Sequence, residues 1–331
     1  MSALASRIAN RAKDLLFVAP LDSHWRRALR GKVMCLLYHR VDDPAHVPYL
    51  EQFGAPSIPP DELARELRFL QGQGAKFMTL ADLRQGEFPD PSQFGVIVSF
   101  DDGFRDNYTA GLPVLEQLGI RGVMFQSTGM VDAPSLLWEH ALYWLWSDPR
   151  SRERLERLVR SRLADMTASQ GPALLTRLRD ELPMTQLEAI LAELTAGDAS
   201  AAALVEQARR LYPRASDVTQ AHRHGHELAS HGHHHYPRRS IDGATFEAEL
   251  VRSIDVLTRL TGTAPGAFSY PFNSYLPGDA ALCAQHFKQV ATVDRALIDR
   301  SSDPHALARF TWPGPHRNGL RRRRWLLTGR I

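Results

Sequence analysis

Seven short runs of this 331-residue chain are almost continuously apolar: Val33 to Tyr38, Val96 to Phe100, Gly122 to Gln126, Ala267 to Tyr270 and Gln289 to Val293, with weaker ones at Phe77 to Leu80 and Glu227 to Ser230. A strand with one wet face alternates apolar and polar side chains, so runs without that alternation predict strands covered on both faces. Between them apolar residues recur at helical spacing: Leu63, Leu67 and Leu70 within Asp61 to Gln73, the stretch Asn107 to Leu118, and Leu250, Ile254 and Leu257 within Thr245 to Leu260. Strands alternating with helices imply an α/β architecture with a parallel sheet, since parallel neighbours need a long crossover. About seven strands in one chain of this length favour a barrel-like closure over two separate sheets.

The rhythm breaks between Ser135 and Arg223. No convincing strand occurs there, but helical periods run through Leu136 to Trp146, Leu155 to Met166, Leu174 to Leu182 and Gln186 to Leu194. This predicts a helical insertion at about residues 135–223 within a main domain over 33–318. A basic segment, 1–32, precedes that domain and a basic tail, 319–331, follows it. The aromatic cluster Trp138, Tyr143, Trp144 and Trp146 is read as packing inside the insertion.

Composition adds mainly exclusions. With 44% hydrophobic and 23% charged residues the chain is neither disordered nor a rod. A formal charge of +3 is too weak over this length to imply a polyanion, so no nucleic-acid partner is expected. Cys35 and Cys283 lie in apolar stretches without metal-type spacing and read as buried small hydrophobes. Arg7, Arg11 and Lys13 precede an apolar run too short for a secretory leader, and no stretch of about 20 apolar residues occurs. A cytoplasmic location is therefore expected, with peripheral contact at the inner membrane face through the basic termini, including Arg321 to Arg324.

Four segments carry candidate chemistry. Val96 to Phe100 runs directly into Asp101, Asp102 and Gly103, placing paired carboxylates at the C-terminal end of a strand, the functional side of parallel α/β folds. Side chains alternate faces along a strand, so one acid could bind a metal while its neighbour acts as base. Asp101, Asp102 or Asp106 could equally cap the following helix. The second segment, Glu227 to Pro237, includes His231, His233, His234 and His235, and seven of the 14 histidines fall between His222 and His235. A His-x3-His pair leaving a strand through Gly232 can converge on one divalent ion, and one carboxylate completes a two-His, one-Asp site with open positions. His222, His224 and His226 precede the strand and are read as surface residues. The third segment, Phe268 to Asn273, ends its strand at Pro271, which fixes a loop whose backbone amide can point into the site. In the fourth, His39 closes the strand Leu36 to Tyr38 at the same presumed face.

The order Ser-Phe-Asp-Asp-Gly (99–103), Glu-Leu-Ala-Ser-His-x3-His (227–235) and Phe-Ser-Tyr-Pro-Phe (268–272) resembles the polysaccharide deacetylases of the NodB-homology type, carbohydrate esterase family 4. The opening Leu-Tyr-His-Arg-Val (37–41) looks like the subset acting on poly-N-acetylglucosamine and related exopolysaccharides. The resemblance spans roughly Val33 to Arg309. It implies a distorted (β/α) barrel of about seven strands and a hydrolase that removes N-acetyl groups with Zn2+, or another divalent metal such as Co2+ or Ni2+. In this resemblance Asp101 is the catalytic base, Asp102, His231 and His235 are the metal ligands, and the Phe272 amide supports the oxyanion. His39, Tyr270 and Pro271 are expected to line the substrate. Many relatives carry an arginine where this chain has Ser269; Arg309 is the expected substitute that orients the base, and His316 the expected general acid. The implied partner is an N-acetylated polysaccharide, oligosaccharide or glycolipid precursor. The alternatives are a deformylase or deacylase of a lipid-linked amino sugar, or a non-catalytic carbohydrate-binding protein that retains the metal site.

Overall fold

A computed structural model describes residues 27–162, 171–196 and 198–311. His316, most of the basic N-terminal segment and the basic C-terminal tail lie outside these residues. Eight strands form one all-parallel sheet: β1 (Val33–Tyr38), β2 (Ala75–Met78), β3 (Phe94–Phe100), β4 (Val123–Gln126), β5 (Glu227–Ser230), β6 (Ala267–Ser269), β7 (Gln289–Ala291) and β8 (Phe310–Thr311). The order along the main path is β7-β6-β5-β4-β3-β1-β8, and β2 pairs with β3 off this path. β2 lies against Phe94 to Ile97 and β4 joins only at Ser99 and Phe100, so two short strands share one flank of the long β3.

The sheet curls until its ends meet. Leu307 bridges to Ala291 of β7, while Phe310 and Thr311 pair with Leu36 and Leu37 of β1. The result is the distorted (β/α) barrel expected from the chain's alternation, and the seven strand regions read from it are all present. β8 was not anticipated, because two residues carry no periodicity. Among the described residues no helix is long and apolar enough to cross a membrane.

Alternation along each strand sorts the side chains into two layers. Met34, Leu36 and Tyr38 of β1, with Val96, Val98 and Phe100 of β3, face outward onto helices that contribute Leu63, Leu67, Leu115 and Leu257. Val33 and Cys35 face inward with Ile97, Phe125, Ala229, Ala267 and Ala291. The three alanines leave room for the barrel to close around the larger residues. Both cysteines are buried and free, and burial raises both thiols, in keeping with an inert role.

The outer helices are α1 (Pro48–Phe53), α2 (Pro60–Gly72), α3 (Leu80–Arg84), α4 (Leu112–Gln117), α10 (Ala215–Arg223), α11 (Gly243–Thr261) and α12 (Asp279–His286). One helix was expected over Asn107 to Leu118. Its first turn, Asn107–Gly111, is instead a π-turn in which the Leu112 N–H reaches the Asn107 carbonyl. Pro113 has no N–H to return to Thr109, which disfavours regular α-helical bonding there.

Among the described residues between β4 and α10 lie five α-helices, α5 (Trp138–Ser147), α6 (Pro149–Arg162), α7 (Pro172–Glu181), α8 (Met184–Thr195) and α9 (Asp198–Leu211). They share a separate core around Leu142, Leu155, Leu178 and Leu187, onto which Val47, Leu50, Phe104 and Met130 of the barrel loops also pack. Trp138, Tyr143 and Trp146 are buried in that core. α10, by contrast, gives Val218 and Ala221 to the barrel's outer layer.

One surface expectation is corrected: His226 is buried, and its Nδ1 accepts the Gly122 N–H at 3.0 Å. It stands one residue before β5, where its side chain ties the approach to β5 to that of β4. Burial lowers the His226 pKa.

Gly103 ends the acidic turn with φ +84°, and a Cβ there would stand 2.1 Å from Gln126 Oε1. Gln126 is itself buried and receives the Tyr108 hydroxyl at 2.6 Å. Gly103→Ala therefore combines a left-handed backbone penalty with a clash, and a loss of about 2 kcal/mol or more is expected in a denaturant titration.

Candidate active site

The strand period that sorts the core also builds the site. Continuing each inward series by two residues takes Ile97 and Ser99 to Asp101, Cys35 and Leu37 to His39, Ala229 to His231, Ala267 to Ser269, and Leu307 to Arg309. All of these sit at the C-terminal rim of the barrel, where parallel α/β folds assemble their chemistry.

Asp101 and Asp102 are adjacent and both buried, at 4% and 6% exposure, and neither caps a helix. Arg309, 1% exposed, grips Asp101 with both prongs, Nη1 to Oδ1 at 2.5 Å and Nη2 to Oδ2 at 2.8 Å. Its Nε donates to the Thr292 carbonyl at 3.3 Å, and its plane lies over Phe125 at 4.7 Å. The guanidinium is therefore fixed on three sides, and the carboxylate plane with it.

Asp102 reaches the same space by a different device. Its backbone is left-handed, φ 67°, and its carbonyl accepts the Ser127 N–H at 3.0 Å, which turns the side chain back toward the barrel axis. Ligand atoms of Asp102, His231 and His235 lie within 4.8 Å of one another, and all three residues are buried. Asp102 Oδ1 is 3.5 Å from His231 Nε2 and 3.2 Å from His235 Nε2.

Each histidine is oriented through its other nitrogen. His231 Nδ1 sits 2.8 Å from the Ser269 carbonyl and 2.6 Å from its hydroxyl, and His235 Nδ1 is 2.7 Å from Glu139 Oε2. With Nδ1 committed to acceptors, Nε2 of both rings faces Asp102. The buried His235 Nε2 makes no hydrogen bond, as expected of a nitrogen whose partner is a metal ion. The donor set, two imidazoles and a carboxylate, suits a divalent ion such as zinc, and these residues fit one.

The electrostatics follow from this crowding. Burial alone would raise the Asp102 carboxyl, but the charge of His235 and the facing imidazole of His231 hold it well below the usual carboxylate range. Burial works against a charged His235, yet Glu139 and Asp102 together carry it up to about 10.

A cleft of about 360 Å³ opens above the triad, walled by His39, Phe53, Glu139, Arg179, Phe272 and Val293 among others. Tyr270 also lines it, but the Tyr270 hydroxyl is paired with Cys283 Sγ at 3.3 Å. Pro271 is not among the cleft residues; it is buried and packs beside Gly232, so its part is to shape the turn, and the expected substrate contact is corrected accordingly. Phe272 and Asn273 are both left-handed, with φ 57° and 52°, and the Asn273 and Ser274 amides are spent within the loop on Tyr270 and Pro271.

The remaining histidines of the cluster stand apart. His233 Nδ1 pairs with the Thr128 hydroxyl at 2.8 Å and His234 Nδ1 with Glu249 at 2.7 Å. Glu139 and Arg179, both on the inserted helices, are the site residues that sequence reasoning missed. The signal for Glu139 was an acid in a strongly apolar helix; Arg179 left none.

With this geometry in place, the family model for polysaccharide deacetylases matches residues 89–285. The chain belongs to the polysaccharide deacetylase family. Among curated proteins of the family, the Bacillus subtilis (strain 168) polysaccharide deacetylase YxkH is 29% identical over 93 residues, which are 26% of this chain and 33% of that protein. The match thus spans about a third of that relative's length. Two solved structures share the fold. They are the Streptococcus pyogenes deacetylase PplD in complex with acetate (14% identity, TM-score 0.55, 86% of this chain and 93% of that one) and IcaB from Ammonifex degensii (17%, 0.54, 90% and 97%).

The purified protein is expected to take up one divalent ion per chain, measured by competition with a chromophoric chelator. His231→Ala should weaken that affinity beyond the roughly 10–100-fold that follows loss of an outer-shell partner, whereas His233→Ala should leave it unchanged.

Proposed function

We propose that this chain is a metal-dependent N-deacetylase acting on an N-acetylhexosamine-containing glycan or glycolipid. The observation that carries the reading is the division of labour between two adjacent buried acids. Asp101 is locked by Arg309 and Asp102 is turned onto two imidazoles, both at the floor of one cleft. Family membership, and the likeness in fold to a deacetylase solved with acetate, support the same class of reaction.

A divalent ion held by Asp102, His231 and His235, zinc or cobalt or nickel in its place, supplies Lewis acidity toward the acyl carbonyl and acidifies water beside it. The protein's own residues do the rest. Asp101 takes a proton from the attacking water; the guanidinium fixes its plane, and each oxygen keeps a lone pair for the purpose. The backbone amide of Phe272, in the tight turn at the cleft wall, is the candidate donor to the tetrahedral oxyanion, a contact that would strengthen as charge develops. The leaving amine needs an acid. Among the described residues His39, the third histidine of the cleft with His231 and His235, is the candidate for that role, and His316 lies outside them. The aromatic faces of Phe53 and Phe272 offer apolar contact to a sugar ring, and the cleft volume lies in the range of small-molecule sites.

Acetate release from N-acetylglucosamine oligomers by the metal-loaded protein, against the chelated protein, tests the reading. Asp101→Asn and His39→Gln should each lower the rate by roughly 10²–10⁴-fold while metal stays bound. Formate or a longer acid among the products, without acetate, would point to the deformylase or deacylase reading. No acid release from loaded protein would contradict hydrolysis on this substrate.

Arg309→Lys keeps the charge and loses the fork, so kcat should fall on the order of 10²-fold with KM little changed. An unaltered kcat would remove Arg309 from the account.

A further inference from the structure

We propose that Trp138 and Glu139, at the start of the first inserted helix, are positioning residues that set the second histidine ligand and thereby the affinity of the metal centre. The inserted helices are then part of that centre rather than an appendage to the barrel. The proposal rests on the reading that Asp102, His231 and His235 hold a divalent ion.

The two histidines are supported in different ways. His231 continues β5 and is oriented by Ser269 of the adjoining strand, so the barrel alone places it. His235 lies five residues past the end of β5 with a left-handed backbone, φ 61°, an uncommon conformation for a residue that carries a side chain. Two grips hold this turn. From the barrel side, Glu249 of α11 accepts the His233 and His234 amides and the His234 ring. From the insertion side, Trp138 Nε1 donates to the His234 carbonyl at 3.1 Å, and Glu139 Oε2 takes His235 Nδ1 at 2.7 Å. The ring of Phe272 packs against both His235, at 4.6 Å, and Trp138, at 6.0 Å, closing the sleeve around the ligand.

Tyr143, one turn along α5, and Arg179 of α7 are the electrostatic neighbours of Glu139, and Glu139 and Arg179 both line the cleft. Without Glu139 the His235 Nδ1 loses its acceptor among the described residues, and with it the tautomer that turns a bare Nε2 toward Asp102.

The test is the Zn2+ affinity of the full chain, by competition with a chromophoric chelator, for wild type, Glu139→Gln, Glu139→Asp, Trp138→Phe and the control Glu193→Gln. Glu193 lies on α8 and pairs with Arg162, away from the ligands. Glu139→Gln should bind 10–100-fold more weakly. Glu139→Asp should recover part of that loss, and Trp138→Phe, which keeps the packing but not the hydrogen bond, should show a smaller loss. Glu193→Gln should match wild type. Wild-type affinity in both Glu139→Gln and Trp138→Phe overturns the proposal, as does an equal loss in Glu193→Gln. Failure of the wild type to take up any ion overturns the metal reading beneath it, and is told apart because every variant then behaves alike.

Discussion

Asp101 and Asp102 are consecutive carboxylates buried at one end of a barrel, and a buried charge without compensation costs several kcal/mol. The surrounding structure answers this with two different counter-charges. The guanidinium of Arg309 takes Asp101 by both oxygens, and the imidazoles of His231 and His235 face Asp102. Different compensation gives different chemistry. A carboxylate clamped by a guanidinium is held in plane and has lone pairs left to receive a proton, whereas one turned onto two ring nitrogens belongs to a coordination sphere. The sequence places the two acids side by side; their partners make them unequal.

The partners come from far along the chain. Arg309 lies 208 residues from Asp101, on the segment that bridges β7 to β1 and closes the sheet. Closing the barrel and orienting the Asp101 carboxylate are therefore one event. His231 depends on Ser269 across β5 and β6, and His235 on an acid from a helix that is not part of the barrel layers. Ser269 orients the His231 ring with its hydroxyl and carbonyl, and the guanidinium on Asp101 arrives from the approach to β8.

How much of this was legible in the sequence follows from which forces are local. The apolar runs gave seven strands because burial on both faces is written directly in composition, and the inward series explains why His39, Asp101, His231 and Arg309 end on one rim. The short β8 was not legible, since its pairing is set by ring closure rather than by its two residues. The π-turn before α4 was hidden because Pro113 is tolerated in the first turn of an ordinary helix. His226 read as surface because a polar residue beside glycine resembles a turn; the tertiary contact with Gly122 overrode that. Glu139 went unseen for the same reason in reverse: it touches His235 across 96 residues, and no local spacing signals such a contact.

The most direct test of this division of roles is the anomalous scattering map of a zinc-loaded crystal of the full chain. One peak is predicted at about 2.0–2.2 Å from a carboxylate oxygen of Asp102 and from Nε2 of both His231 and His235, with Asp101 still held by Arg309 and outside the coordination sphere. A peak bound through Asp101, or one on His233 and His234 outside the barrel, would contradict it.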